Sequence, residues 1–151
     1  MLASLESAAA GPSYSVTRLA ESLTYRGVLS EIMTTGLAAD EMIAGVRRRT
    51  FALDVNALPG LRTLCFSKDL YRSLTEEVLK GSVIHSHGQW LMPNLYPALA
   101  TRRHGGIHVV SPRGMLGPAA LRFSRRRKQL VWALVQSRAL KSAACIHATS
   151  L

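Results

Sequence analysis

Acidic residues are scarce in this chain, cysteines scarcer still, and no apolar run is long. The two cysteines, Cys65 and Cys145, stand far apart and outside any CxxC spacing, which excludes a disulfide framework and a cysteine-based zinc site. They read as thiols of a reduced, cytosolic protein and as small core fillers. The apolar stretches are short and interrupted, so none is expected to span a bilayer. The opening MLASLESAAAG has no basic n-region and too brief an apolar segment for a signal peptide. Aromatic residues make up 6% and are not interleaved with the basic runs. No RRM, KH or zinc-finger pattern occurs, which counts against a dedicated nucleic-acid module. There is neither an internal repeat nor a low-complexity tract, and 48% hydrophobic residues exclude a disordered composition.

What is present in excess is positive charge. Nineteen Lys plus Arg against nine Asp plus Glu give +10 over 151 residues, one domain's length. The excess is clustered at Arg47-Arg48-Arg49, at Arg102-Arg103 and in residues 122–128. Such charge implies a polyanionic neighbour: nucleic acid, an anionic membrane face or a phosphorylated substrate. An arginine-favouring coding bias produces the same excess, and charge alone does not choose among these.

Helix and strand signals alternate. Val16, Leu19, Ala20 and Leu23 recur at helical spacing, with Gly11-Pro12 at the entry and Gly27 at the exit. A strand is predicted over residues 28–34, a helical excursion over 37–46, and a strand over 50–58 closed by Pro59-Gly60. Ser67 opens a second helix with Leu70, Tyr71, Leu74 and Val78 on one face and Gly81 past its end. The strand SVIHSH follows, then a helix over 93–103 with Leu95 and Leu99 inward and Pro97 as a local conflict. The strand IHVVS ends at Pro112. A fourth helix over 124–141 is expected to face Leu130, Val131, Leu134 and Val135 to the core, before a last strand, ACIHATS. Alternation of this kind implies βαβ units: an α/β, Rossmann-like, doubly wound and mostly parallel sheet flanked by helices. Met1 to Leu5 form only a stub of the expected first strand, and Ser150-Leu151 stop where a helix should begin, so both ends read as truncated.

The segments GPSYSVTRLAESL, SVIHSHGQWLMPNLY, VVSPRGML and ACIHATS, in that order, resemble the N-terminal domain of retaining, family-four type GT-B glycosyltransferases of bacterial polysaccharide and lipid-linked glycan synthesis. The resemblance covers residues 1–151 as one domain. It implies one of two Rossmann-like halves, the acceptor-side one, with the nucleotide-sugar held mostly by a C-terminal donor domain that these residues do not include. It implies transfer with retention to a glycan or lipid-linked hydroxyl, no cofactor beyond the nucleotide-sugar substrate, and a cytoplasmic site of action peripheral to the inner membrane face. The half alone is expected to be inactive.

Ligands of such sheets collect at the carboxyl ends of strands. The Ala10-Gly11-Pro12-Ser13 loop is expected to feed a helix N-terminus, where Gly11 and Ser13 suit a phosphate or sugar oxygen. His85 and His87 share one strand face, with Gly88 beside them. Neutral imidazoles hydrogen-bond sugar hydroxyls in either direction; His85 also reads as an ordinary core histidine. Two such histidines can share a metal ion, but no further ligand lies near in sequence, so no metal is expected. Trp90 and Asn94 suit stacking on, or bonding to, a sugar ring. Arg113, in the turn Ser111-Pro112-Arg113-Gly114, offers a forked cation to a phosphate or carboxylate. Arg125, Arg126, Arg127 and Lys128 crowd a helix start and are candidates for facing an anionic membrane, where each cation adds about 1 kcal/mol. Catalytic residues are not assigned. Two rival readings stand beside this one: a basic nucleic-acid-binding module, and the non-functional product of a disrupted gene.

Overall fold

The computed structural model describes residues 10–54, 63–122, 128–129 and 131–148. In chain order it has helix α1 (Ala10–Tyr25), strands β1 (Glu31–Thr35), β2 (Ala39–Ile43) and β3 (Val46–Phe51), helix α2 (Lys68–Leu79), β4 (Ile84–His87), α3 (Met92–His104), β5 (His108–Ser111), α4 (Pro118–Arg122), a π-helical turn (Trp132–Gln136), α5 (Ser137–Lys141) and β6 (Cys145–Ile146). The described strands form two ladders, β1-β3-β2 and β4-β5-β6. Pairing is parallel between β1 and β3, β4 and β5, and β5 and β6; β2 runs antiparallel to β3. The fold is α/β and Rossmann-like, as the alternation of signals implies.

Neighbouring residues of β1 show how the layers stack. Successive side chains in a strand point to opposite faces. Ile32 joins Val16 and Ala20 of α1 and Val46 of β3 in one buried cluster. Met33 joins Leu70, Leu74 and Val78 of α2, Ile84 of β4, and Tyr96 and Ala100 of α3 in another. Helices therefore cover both faces of β1, and the second cluster ties the two ladders to one core. Four of the five β1 residues are buried, the pattern of a parallel strand covered on both sides.

Local chemistry sets the element ends. Ser67, extended at φ −152°, accepts the Leu70 N–H on its hydroxyl 3.3 Å away and so caps α2. Its own N–H donates to the Tyr96 hydroxyl at 3.0 Å, which pins α2 to α3. Gly27 leaves α1 in the left-handed region at φ 81° while the Val28 N–H reaches back to the Leu23 carbonyl at 3.0 Å.

Several sequence expectations are corrected. Residues 37–46 are no helical excursion: they contain β2 and the turn of a hairpin. Ala44 and Gly45 sit at φ 49° and 77° between the paired residues Ile43 and Val46, a two-residue turn of the I′ kind whose twist suits a hairpin. The strand expected at 50–58 begins earlier, at Val46, and ends at Phe51; residues 55–58 lie outside the described residues. Leu99 is 40% exposed, because α3 turns Leu95 and Ala98 toward Ala139 of α5 and Tyr96 and Ala100 toward α2. The expected face of the fourth helix is displaced as well. A π turn widens the coil by one residue, so Leu134 (58%) and Val135 (37%) stand outside while Gln136 and Ala139 are buried. Cys145 is exposed and Cys65 half-buried, so neither is core filler. Met1 to Leu5, Arg125, Arg126, Arg127, Leu130 and the last two residues fall outside the described residues.

The Ala44-Gly45 turn yields a test. A side chain other than Asn or Asp in the left-handed region costs about 1 kcal/mol, and Asn-Gly is the preferred I′ pair. Ala44→Asn is expected to raise stability by about 0.5–1 kcal/mol in urea unfolding, whereas Gly45→Ala lowers it. A neutral or destabilising Ala44→Asn contradicts the turn assignment.

Candidate functional site

The parallel register of β4 and β5 sets His85 against Val109 and His87 against Ser111. Both strands then leave the sheet through backbone in the left-handed region: Gly88 at φ 92° and Trp90 at 75° after β4, Arg113 at 52° and Gly114 at 71° after β5. Non-glycine residues in that region are uncommon and gather at functional sites. A Cβ on Gly88 would meet the Met115 methyl at 3.4 Å and the Asn94 amide nitrogen at 3.5 Å, so the two turns are packed against each other.

The side chains converge. The His85 and His87 rings are 4.1 Å apart, and the His147 ring, just past β6, lies 5.3 Å from His85. Arg113 brings Nε and Nη2 to 3.3 and 3.2 Å from His87 Nδ1, and its Nη1 donates to the Ser15 hydroxyl at 2.9 Å. Because a guanidinium can only donate, His87 Nδ1 must accept, and the imidazole proton resides on Nε2. The Asn94 amide donates to the His87 carbonyl at 2.9 Å from a position only 4% exposed. Asn94 thus holds the end of β4 from beneath. The Trp90 indole N–H is engaged by the Met115 carbonyl at 3.1 Å, and Lys128 Nζ lies over the ring at 5.4 Å from its centroid.

The glycine loop differs from expectation. Helix α1 already begins at Ala10, so Gly11 and Ser13 lie in its first turns and not in a loop ahead of it. Ser13 carries a buried hydroxyl without a hydrogen-bond partner among the described residues. Ser15, half a turn further, touches Arg113, which brings the start of α1 to the same rim as His87. Sequence reading missed Ser15 and His147. The second had a readable signal: it closes the last strand motif, one register step beyond the β5–β6 pairs Val109–Cys145 and Val110–Ile146. Ser15 had none, since only the packing of α1 reveals it.

Electrostatics distinguish the groups. Burial first, then neighbouring positive groups including Arg113, lowers His85 to about 4 and His87 to about 2. Burial lowers His108, bonded to the Ser86 hydroxyl at 2.9 Å, to about 4. The site therefore presents neutral imidazoles beside a guanidinium whose own value burial lowers. Among the described residues no three His, Cys, Asp or Glu side chains are arranged to hold a metal ion.

The charge of the chain is also unevenly placed. Arg47, Arg48 and Arg49 reach Asp40, Glu21 and Glu31 at 2.6, 3.8 and 3.3 Å, so that cluster is neutralised locally and is not a polyanion surface. After Glu77 the sequence has eleven Lys and Arg and not one Asp or Glu; up to Glu77 it has eight against nine. The excess of +10 thus belongs entirely to the part that builds β4, β5 and β6.

Fold and site together define a parallel α/β domain whose ligand-facing groups gather at strand tips. The glycosyl transferase 4-like domain matches residues 10–151, and the chain belongs to that family. The family's role is glycosyl transfer, with a sugar donor and an acceptor as substrates. No curated protein matches the chain. No helix among the described residues is long and apolar enough to cross a membrane.

The buried neutral histidines make stability pH-dependent. The unfolded chain takes up protons on imidazoles near 6.5, while His85 and His108 wait until about 4 and His87 until about 2. The unfolded state binds more protons in that window, so stability is full above it and falls as pH drops through 6.5 toward 4. His87 and His108 each withdraw about 2 kcal/mol at pH 5. Asp40 and Glu77, held below their ordinary 3.8 and 4.5 chiefly by Arg47 and Lys80, act only at lower pH. The urea midpoint is expected to drop between pH 7.5 and pH 5, and His108→Asn to flatten the drop. Equal midpoints contradict the burial of neutral imidazoles.

Proposed function

We propose that this domain is the acceptor-side half of a GT-B glycosyltransferase that transfers a sugar from a nucleotide-sugar to a hydroxyl of a glycan or lipid-linked acceptor, with retention. The observation that carries this reading is the His87–Arg113–Ser15 contact, which joins the tips of β4 and β5 to the first turns of α1. In this arrangement His85 hydrogen-bonds sugar hydroxyls, the buried His87 fixes Arg113 through Nδ1, and the remaining N–H groups of Arg113 hold a hydroxyl or phosphate oxygen. Gly11 and Ser13, in the first turns of α1, bring backbone N–H groups and the positive helix end toward a donor phosphate. Gly88 lets the backbone approach the ligand, Asn94 holds His87, and Trp90 offers an apolar face.

The histidines serve binding better than proton abstraction. Imidazoles at about 4 and about 2 are poor bases near neutral pH. No carboxylate is available from residues 78–151 to act as base or nucleophile at these strand tips. The work of this wall is therefore to orient the acceptor, and stabilisation of the leaving diphosphate falls to groups of a second, donor-binding wall. The acid-free half also suits peripheral contact with the anionic inner leaflet, where Arg125, Arg126 and Arg127 add about 1 kcal/mol each, whereas Lys128 is turned to the Trp90 ring and the Ala120 carbonyl.

Saturation-transfer NMR with a panel of neutral oligosaccharides and, separately, nucleotide-sugars tests the assignment. Oligosaccharides are expected to bind, and Arg113→Ala and His87→Ala to weaken them at least tenfold, about 1.4 kcal/mol. Nucleotide-sugars are expected to bind weakly. No oligosaccharide binding, or binding indifferent to both substitutions, overturns it.

A further inference from the structure

Next to the histidine site lies a cavity of about 570 Å³ whose walls include Trp90, Leu116, Pro118, Arg122, Lys128 and Trp132, within the size range of small-ligand sites. It shares the Gly88–Trp90 turn with the site above but uses none of His85, His87 or Arg113. Trp90 and Trp132 are the only tryptophans of the chain. Their rings are 6.3 Å apart and tilted by 43°. Each is set in place by irregular backbone. Trp90 sits at φ 75° with its indole N–H on the Met115 carbonyl. Trp132 opens the π turn, where the Ser137 N–H reaches the Trp132 carbonyl. The widened coil buries Gln136 against Gln89 and leaves Trp132 40% exposed at the cavity.

Among the described residues no acidic side chain pairs with the cations of this cavity. Lys128 Nζ lies 5.4 Å from the Trp90 ring centroid and donates to the Ala120 carbonyl, so it is held without being neutralised. Among the described residues every ion pair belongs to residues 18–80, and none includes Arg122 or Lys128. With no Asp or Glu after Glu77, the chain near this cavity holds no acid of its own to approach them. Flat indole faces complement the apolar C–H faces of a pyranose ring. A guanidinium and an ammonium beside them complement an anionic substituent on that ring.

We propose that this cavity is a subsite for an anionic sugar, its ring packed on Trp90 and Trp132 and its carboxylate or phosphate held by Arg122 and Lys128. The proposal rests on the acceptor-side reading above and adds the charge of the unit accepted. That charge has two sources: a uronic-acid residue of a glycan, or the sugar phosphate of a lipid-linked glycan.

Trp132 lines the cavity and takes no part in the histidine site, so the part of the intrinsic fluorescence change that Trp132→Phe removes reports on the cavity. A uronic-acid oligosaccharide and a prenyl-phosphate sugar in neutral detergent micelles are titrated separately, against a neutral oligosaccharide of equal length and inorganic phosphate. At least one anionic sugar is expected to change the emission saturably, and which one does identifies the source. The neutral sugar and phosphate are expected to be at least tenfold weaker, and Arg122→Gln with Lys128→Gln to abolish the response with the far-UV spectrum unchanged. A neutral sugar or phosphate acting equally well, or a response surviving the double substitution, overturns the subsite. No response to either anionic sugar overturns it too. If neutral oligosaccharides still bind in an Arg113-dependent way by NMR, that failure leaves the acceptor-side reading standing; if they do not, both fall.

Discussion

The parallel pairing of β4 with β5 is the constraint from which the rest of the site follows. It sets His87 opposite Ser111, so the two chains leave the sheet at the same level. The next turns hold Trp90 and Arg113 in the left-handed region, and Arg113 folds back onto His87. A slip of one residue would turn both histidines to the other face of the sheet and separate His87 from the guanidinium. The pairing is secured from outside the site. Ile84 is buried with Leu74, Val78 and Ala100, and the Ile84 N–H extends the ladder to the Ile107 carbonyl at 2.9 Å. Packing around α2 and α3 thus fixes the strand tips, and Asn94 of α3 reaches one of them directly at the His87 carbonyl.

Charge follows the same division. In the β1-β3-β2 ladder, β3 arginines pair with acids of the neighbouring strands, and an exposed pair such as Arg47–Asp40 adds little stability. Beyond Glu77 the cations have no acidic residues of the same stretch to meet. A surface of one sign repels itself and is tolerated only at some loss of stability. The loss has a use if anions are to be drawn toward the β4 and β5 tips and the neighbouring cavity. Neutral histidines fit this field, since a protonated imidazole beside Arg113 would add repulsion inside a buried site.

What could be read from sequence was what local chemistry decides. The Ser67 cap, the Gly27 exit and the helical face of α2 are all written in residue type and spacing, whereas on α1 Val16 and Ala20 are buried and Leu23 is exposed. So was the shared face of His85 and His87, because the strand period of two needs no tertiary knowledge. Failures came where the backbone breaks the regular period. Strand β2 is exposed at every position, so it carries no alternation to detect, and its turn places an alanine where asparagine is the usual signal. The π turn moved the buried face from Leu134 and Val135 to Gln136 and Ala139, and no hydrophobic period encodes a one-residue widening. The contact of Ser15 with Arg113 joins residues 98 positions apart and was beyond any local rule.

Among the described residues the irregular features stand at three places: Ala44 in the β2–β3 turn, Cys65 ahead of α2, and a group at the β4-β5-β6 ladder. Trp90, Arg113 and the π turn, each a departure from the least strained local geometry, all lie around one end of the β4-β5-β6 ladder. Strain of this kind survives only where surrounding packing over-determines it. Here Asn94, Met115 and Gln89 provide that packing: Asn94 on the His87 carbonyl, Met115 over Gly88 and the Gln89 N–H, and Gln89 on Gln136. Regular helices and strands would have carried the same core without them. Two of the four non-glycine residues at positive φ meet the π turn here, beside cations that form no ion pair among the described residues. That coincidence favours a site shaped for a ligand over a fold that merely closes there.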